Sequence, residues 1–120
     1  MATALVAGAM VCGAIALSAR APGPREIRVV ARDMNFYLDG QADANPTLRL
    51  RAGETVRLVL RNEDEGMKHD FAIPGWKAAT KRIERGEEAS VTVRVPDHAS
   101  SQSYTCRPHA AMMQGTILVE

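Results

Sequence analysis

The stretch TLRLRAGETVRLVLRN, residues 47–62, decides the fold class of this chain. Its apolar residues alternate with arginine and threonine on both sides of a turn that contains Gly53. Because side chains alternate between the two faces of a strand, this pattern leaves one face apolar and ready for burial. The stretch therefore predicts two strands joined by a turn. The predicted buried residues are Leu48, Leu50, Val56, Leu58 and Leu60.

The same pattern extends outward from this stretch in both directions. Residues 26–32 are rich in β-branched side chains, and residues 87–96 alternate until a proline stops them. Two further strands are predicted at 103–106 and 115–120. No helical period is convincing after residue 25, although AATKRIERGEE, residues 78–88, is compatible with about one helical turn. Short strands separated by Gly, Pro, Asn and Asp predict an all-β, two-sheet β-sandwich.

The N-terminal segment predicts export. Residues 2–19, ATALVAGAMVCGAIALSA, carry no charge and suit either a signal peptide or a short membrane anchor. We therefore divide the chain into a signal peptide or anchor at 1–19, a Pro/Gly-rich linker at 20–25 and one folded domain at 26–120. Both alternatives predict a periplasmic or other extracytoplasmic location. The domain would be soluble after cleavage or would stay attached to the membrane through residues 2–19.

The charge balance argues against nucleic acid as a partner. The chain has 15 Lys and Arg against 14 Asp and Glu, a formal net charge of +1, and the two signs are interspersed. A phosphate-binding surface needs a concentrated basic patch, and base stacking needs more aromatic residues than the 4% present here.

Cysteine usage points to a metal. Cys12 lies in the apolar segment, which leaves Cys106 as the one cysteine of the predicted domain. In an oxidising compartment thiols are usually paired, and a metal ion is the simplest occupant of an unpaired one.

The residues around Cys106 carry the chemistry. In YTCRPHAAMMQGTILVE, residues 104–120, Cys106 and His109 are followed by Met112 and Met113 on one loop between two predicted strands. Thiolate, imidazole and thioether together suit copper in both of its oxidation states. A further ligand candidate is His69 in RNEDEGMKHDFAIP, residues 61–74, at the predicted entrance of another strand.

These motifs resemble the cupredoxins, the family of plastocyanin, azurin, pseudoazurin and amicyanin. The resemblance covers residues 26–120 and is strongest in NEDEGMKHDF, residues 62–71, and in residues 104–120. It implies a Greek-key β-sandwich and one type 1, or blue, copper ion that cycles between Cu(II) and Cu(I). It further implies His69, Cys106 and His109 as the three strong ligands.

The resemblance leaves two candidates for the weak axial ligand. The family's methionine is commonly followed by one residue and a glycine, which selects Met113 because Gly115 comes two residues later. Counting from His109 as in amicyanin selects Met112 instead. We prefer Met113, because the glycine register is tied to the following strand.

Two comparisons with the family sharpen the expected site. Asp70 stands where the family often has an asparagine, and its negative charge should favour the oxidised ion, which predicts a lowered reduction potential. A binuclear copper centre would need a second cysteine on the loop, but that position is Gln102.

The sequence thus predicts an electron carrier and no enzyme. We expect a monomer that docks transiently with a redox protein at the small apolar patch around His109, and we assign no catalytic residue. The alternative is a carrier or sensor that delivers Cu(I), favoured by Met67, Met112 and Met113 beside the two histidines and the cysteine.

Overall fold

The computed structural model describes residues 13–14 and 23–120. The predictions for residues 1–19 and for most of the linker at 20–25 lie outside these described residues. Within the described part of the chain, no helix combines the length and the apolar character needed to span a membrane.

Nine strands form within residues 23–120, and they assemble into two sheets. They are β1 (Arg25–Arg32), β2 (Asn35–Leu38), β3 (Leu48–Leu50), β4 (Thr55–Asn62), β5 (Ala72–Ile73), β6 (Ala78–Ala79), β7 (Glu88–Arg94), β8 (Ser100–Thr105) and β9 (Gln114–Val119).

The first sheet has the strand order β2-β1-β4-β7 and the second β3-β9-β8-β5-β6. Two pairs are parallel, β1 with β4 and β3 with β9, and the other pairs are antiparallel. The chain passes from one sheet to the other and back, so strands distant in sequence become neighbours. The predicted all-β, two-sheet sandwich is confirmed.

Burial follows the predicted alternation. The five apolar residues predicted to face inward from residues 47–62 are at most 2% exposed, because they pack between the two sheets. The ring of Tyr104 stacks on Phe71 with 5.1 Å between centroids, and Phe36 meets both rings edge-on. This aromatic cluster lies in the core of the sandwich and fixes where the neighbouring loops begin.

Two local predictions need correction. Residues 78–88 form no helical turn: Ala78–Ala79 are strand β6, and Ile83 pairs with His69 in an isolated bridge. The strand Asn35–Leu38 was not predicted, because its hairpin with β1 turns at Asp33 and Met34, a pair without the glycine or asparagine that usually signals such a turn.

Candidate metal centre

Three connections meet at one end of the sandwich. They are the β1–β2 turn at residues 33–34, the β4–β5 loop at 63–71 and the β8–β9 loop at 106–113. Because β1 and β4 are parallel, the β1–β2 turn and the β4–β5 loop leave the same end of the first sheet, and the start of β5 pairs with the end of β8 in the second sheet. We call this end, together with Asn62 at the last position of β4, the metal end.

The β8–β9 loop is closed by its own backbone. Cys106 follows β8 directly and begins a short 3-10 turn, Arg107–His109. The Cys106 N–H donates to the Met113 carbonyl at 3.0 Å, and the Met113 N–H donates to the His109 carbonyl at 2.9 Å. The loop therefore holds Cys106, His109 and Met113 close together.

His69 is brought to the same place by the β4–β5 loop, which crosses from one sheet to the other. Its main chain forms two hydrogen bonds with Ile83, of 3.0 and 2.8 Å, just before β5 begins. Its side chain is fully buried. The predicted strand entrance is thus an isolated bridge, yet it performs the expected task of directing the imidazole into the sandwich end.

The three side chains converge on one small volume. Nδ1 of His69 lies 3.6 Å from Sγ of Cys106, and Nδ1 of His109 lies 3.5 Å from the same sulfur. All three ligand atoms lie within 4.8 Å of one another. A trigonal ion with bonds of about 2.0 Å to nitrogen and 2.3 Å to sulfur would separate nitrogen from sulfur by roughly 3.7 Å. The donor set and its spacing therefore fit one metal ion.

The two candidate axial methionines have opposite environments. Met113 is fully buried next to Cys106, whereas Met112 is 60% exposed on the loop surface. A ligand that faces an ion beneath the surface must point inward, so the burial favours Met113.

Gly115, whose position in the sequence favoured Met113 over Met112, is required by the packing of β9. Gly115 lies opposite Tyr104 in the β8–β9 pair, and a Cβ at this position would overlap the tyrosine ring. The ring cannot easily move, because its hydroxyl donates to the Pro46 carbonyl at 2.6 Å. Gly115 therefore fixes the register of β9 against β8. Met113 lies two residues before Gly115, so the same register keeps its side chain on the inward face.

Burial keeps the Cys106 thiol protonated until an ion binds. Burial raises the pKa of Cys106 and the Asp70 carboxylate adds to the rise, while main-chain N–H groups of Asp70 and His109 act against it. The thiol is therefore neutral by itself. A bound metal reverses this balance, because a coordinating thiol is deprotonated by the ion's charge.

Asp70 joins the two ligand loops. Its carboxylate is fully buried and accepts hydrogen bonds from the Arg107 N–H and from Arg107 Nε, both at 2.8 Å. Arg82 Nε lies 3.9 Å away. The charge that the sequence predicted beside the site is present, but two guanidinium groups oppose it.

Sequence reasoning missed Asp64. Its Oδ2 lies 2.8 Å from Nε2 of His69, on the side of the ring away from Cys106. Partial burial raises the pKa of Asp64, but hydrogen bonds from the Met34 N–H, from His69 and from the Asp33 N–H outweigh it and leave the pKa lowered. Three acidic residues stand together at 63–65, and the sequence does not reveal which one turns inward.

Comparisons with known proteins agree with this geometry. The family model described as "Copper binding proteins, plastocyanin/azurin family" matches residues 44–120. The comparison with curated proteins finds no match.

Among solved structures the chain is similar to rusticyanin from Thiobacillus ferrooxidans, with a TM-score of 0.63 and 21% identity over 79% of this chain and 76% of rusticyanin. It is similar to auracyanin B, with a TM-score of 0.65 and 22% identity over 84% and 93% of the two chains. The multicopper oxidase McoA from Aquifex aeolicus also matches, with a TM-score of 0.64 and 17% identity over 82% of this chain but 27% of the oxidase. These likenesses concern the fold.

Proposed function

This chain belongs to the plastocyanin/azurin family of copper-binding proteins, and on that premise we propose that it is a mononuclear type 1 copper protein that carries single electrons. The observation that carries the proposal is the convergence of two imidazole nitrogens and one thiol within 4.8 Å, with a buried methionine on the same loop. Two histidines and a cysteine with a weak axial methionine constitute the blue-copper electron-transfer site.

Each residue has a distinct role in this proposal. His69 and His109 would bind through Nδ1 and Cys106 through Sγ, with Met113 as the axial ligand and Met112 as its alternative. A bound copper ion supplies the exchange between Cu(II) and Cu(I). The chain supplies a donor set that stays in place during that exchange, because both loops are anchored in strands and closed by backbone hydrogen bonds.

The burial of the site favours electron transfer over catalysis. His69 and Cys106 are fully buried, and His109 is the ligand candidate with a partly exposed ring. A substrate would need direct access to the ion, whereas an electron can pass through an imidazole edge. We therefore propose that this chain is a carrier and no enzyme, although an oxidase shares its fold.

The surface around His109 fits a transient redox partner. Pro108, Ala110, Ala111 and Met112 are all exposed and surround the imidazole with a small, uncharged apolar patch. Small contacts of this kind suit partners that must separate quickly. We propose that a redox protein docks here and that the carrier acts as a monomer. The near-zero net charge predicts that docking depends only weakly on salt.

We place the protein outside the cytoplasm, periplasmic or otherwise extracytoplasmic. The support is the uncharged segment at residues 2–19 and a single unpaired cysteine in the folded domain, Cys106. A signal peptide and a membrane anchor remain the two alternatives for the apolar segment.

One observation favours a second candidate function, the delivery of Cu(I). Met67 is 43% exposed and Met112 60% exposed, both near the histidine loops. Exposed thioethers can receive and release Cu(I). A carrier or sensor of this type would hold the ion weakly and would lack a stable Cu(II) form.

The optical spectrum of the Cu(II)-loaded protein separates these functions. We expect an intense visible thiolate-to-copper band that disappears on reduction and returns on oxidation. Cys106→Ser should abolish the band, and Met113→Leu should shift the band and the potential more than Met112→Leu does. A colourless protein that retains only Cu(I) and yields it to a weak chelator would contradict electron transfer and support delivery.

The docking patch is testable without knowing the partner. Electron self-exchange between reduced and oxidised copies, followed by NMR line broadening, should pass through the same patch. Ala111→Asp should slow self-exchange because two like charges then meet. Ala52→Asp, an exposed alanine at the other end of the sandwich, is the matched control and should have little effect. Equal slowing by both variants, or a steep salt dependence in the parent protein, would refute the patch.

A further inference from the structure

The β1–β2 turn makes an unusual contact with the candidate metal centre. Its two central residues, Asp33 and Met34, have φ values of 49° and 58°, in the left-handed region. This conformation is unfavourable for side chains other than glycine, asparagine and aspartate, so the methionine in particular needs support from its surroundings.

Part of that support comes from one carboxylate, beside the hydrogen bond from Asn35 Nδ2 to the Asp33 carbonyl. The Asp33 N–H donates to Asp64 Oδ1 at 2.7 Å, and the Met34 N–H donates to Oδ2 at 3.1 Å. Two successive amides in this conformation point the same way and form a small anion-binding concavity. Asp64 is thus held from one side by the turn.

Asn62 holds the same loop from the other side. Its side chain is fully buried, and Oδ1 accepts the Asp64 N–H at 2.8 Å. Its Nδ2 donates to the carbonyls of Met67 and Ile83 at 2.7 and 3.0 Å. The position of the Asp64 carboxylate is therefore determined by hydrogen bonds at both ends of the residue.

The carboxylate faces the back of His69. Because a carboxylate oxygen accepts hydrogen bonds, Asp64 Oδ2 at 2.8 Å from Nε2 favours the tautomer with the proton on Nε2 and the lone pair of Nδ1 directed toward Cys106. The backbone bonds between His69 and Ile83 fix the main chain and burial confines the ring, but neither selects which ring nitrogen carries the proton. The carboxylate makes that selection and fixes the ring orientation, which is the role such groups have behind histidines that bind metals.

We propose that Asp64 is the positioning residue of the metal centre: clamped by the β1–β2 turn, its carboxylate fixes the tautomer and the rotation of His69 and adds negative charge behind the imidazole. The effect of Asp64 on the His69 tautomer is a property of the metal-free chain. Its effect on a bound ion rests on the proposed copper function. The charge favours the more positive, oxidised ion, so it lowers the reduction potential.

The first test uses the metal-free protein. Long-range ¹H–¹⁵N correlation spectra should show His69 as a single Nε2–H tautomer, and Asp64→Asn should replace it with a mixture. Glu63→Gln is the matched control, because Glu63 is the adjacent carboxylate, pairs with arginines at 3.8 and 3.9 Å and leaves His69 untouched. A single Nε2–H tautomer in folded Asp64→Asn would overturn the proposal.

The second test uses the Cu(II) form. Asp64→Asn should bind Cu(II) about 10- to 100-fold more weakly, raise the reduction potential and change the remote-nitrogen signal of His69 in electron spin-echo spectra. Glu63→Gln should leave all three near the parent values. If the tautomer changes but no blue band forms in any variant, the copper function fails while the positioning role stands. An unchanged potential and remote-nitrogen signal in Asp64→Asn would refute the role toward the ion.

A further pair of variants separates the effect of Asp64 on His69 from its effect on the β1–β2 turn, because Asp64→Asn changes both contacts. Asp33→Asn with Met34→Gly gives a turn that forms without the carboxylate. Asp64→Asn added to this background should still produce the tautomer mixture. Retention of the single tautomer there would show that Asp64 acts only on the turn.

Discussion

The two ends of the sandwich use charged residues in opposite ways. At the metal end, Asp70 is fully buried and Asp64 is 13% exposed, and both accept main-chain N–H groups from other loops. At the far end, which holds the β3–β4 turn and the starts of β1 and β4, Glu54 is 17% exposed, pairs with the surface residue Arg25 and accepts the Arg51 N–H of its own turn. The carboxylates of Asp64 and Asp70 join separate loops at the first end, whereas Glu54 at the second end bonds within its own turn and to a surface arginine.

Backbone conformation differs in the same sense. In the far-end turn the residue with left-handed φ is Gly53, which adopts this conformation freely, whereas at the metal end Asp33 and Met34 adopt it in addition to Gly66. Unfavourable conformations persist where the surroundings over-determine them, as they do around sites that must be held still. The comparison indicates that the metal end is built for fixed positions and the far end for ordinary stability.

The largest expected effect tests the register of the metal end. Gly115→Ala would place a methyl group against the Tyr104 ring, which is held by Pro46 and Phe71. We expect a loss of about 2 to 3 kcal/mol in the free energy of unfolding, measured by urea denaturation.

Gly53→Ala is the far-end counterpart. Its φ of 75° disfavours alanine, but the nearest atom is an oxygen of the exposed and movable Asp97 side chain. A loss of about 1 kcal/mol is expected. Equal losses in the free energy of unfolding for Gly115→Ala and Gly53→Ala would contradict the view that the metal end is held more rigidly than the far end.

An intermediate effect is expected at Asp70. Asp70→Asn removes a buried negative charge beside the site, so the reduction potential should rise, by tens of millivolts or about 1 kcal/mol after compensation by Arg107. Arg107→Gln should move the potential the other way, because it leaves the carboxylate less compensated. Voltammetry of the copper-loaded variants measures both, and an unchanged or lower potential in Asp70→Asn would refute the hypothesis.

The smallest effect is expected at Glu54, the far-end control for Asp70. The hydrogen bond from Arg25 is the main cause that lowers the pKa of Glu54, against a smaller opposing effect of burial. A lowered folded-state pKa stabilises the fold above the ordinary carboxyl pKa, and this contribution is lost as pH falls through the folded value. Glu54→Gln should therefore cost less than about 1 kcal/mol at neutral pH and nothing in acid, with no change in potential. A shift in potential would contradict the separation of the ends.

Most of the sandwich could be predicted because its strands alternate. Residues 47–62 and 87–96 show which side chains face inward, and β4 and β7 form as expected. The strand β2 could not be predicted in this way, since its four residues do not alternate and its turn lacks glycine. The turn before it is held by the carboxylate of Asp64, a contact across about 30 residues of chain.

The sequence by itself determined the donor types and the closed loop that carries three of them, Cys106, His109 and Met113, because loop length and strand register are local properties. Only the tertiary structure decided what surrounds them: how the β4–β5 loop carries the predicted ligand His69 to them, that Asp64 stands behind it and that Arg107 opposes Asp70. Those contacts depend on the relative placement of loops from different strands, and spacing along the chain does not encode the direction in which a polar side chain turns.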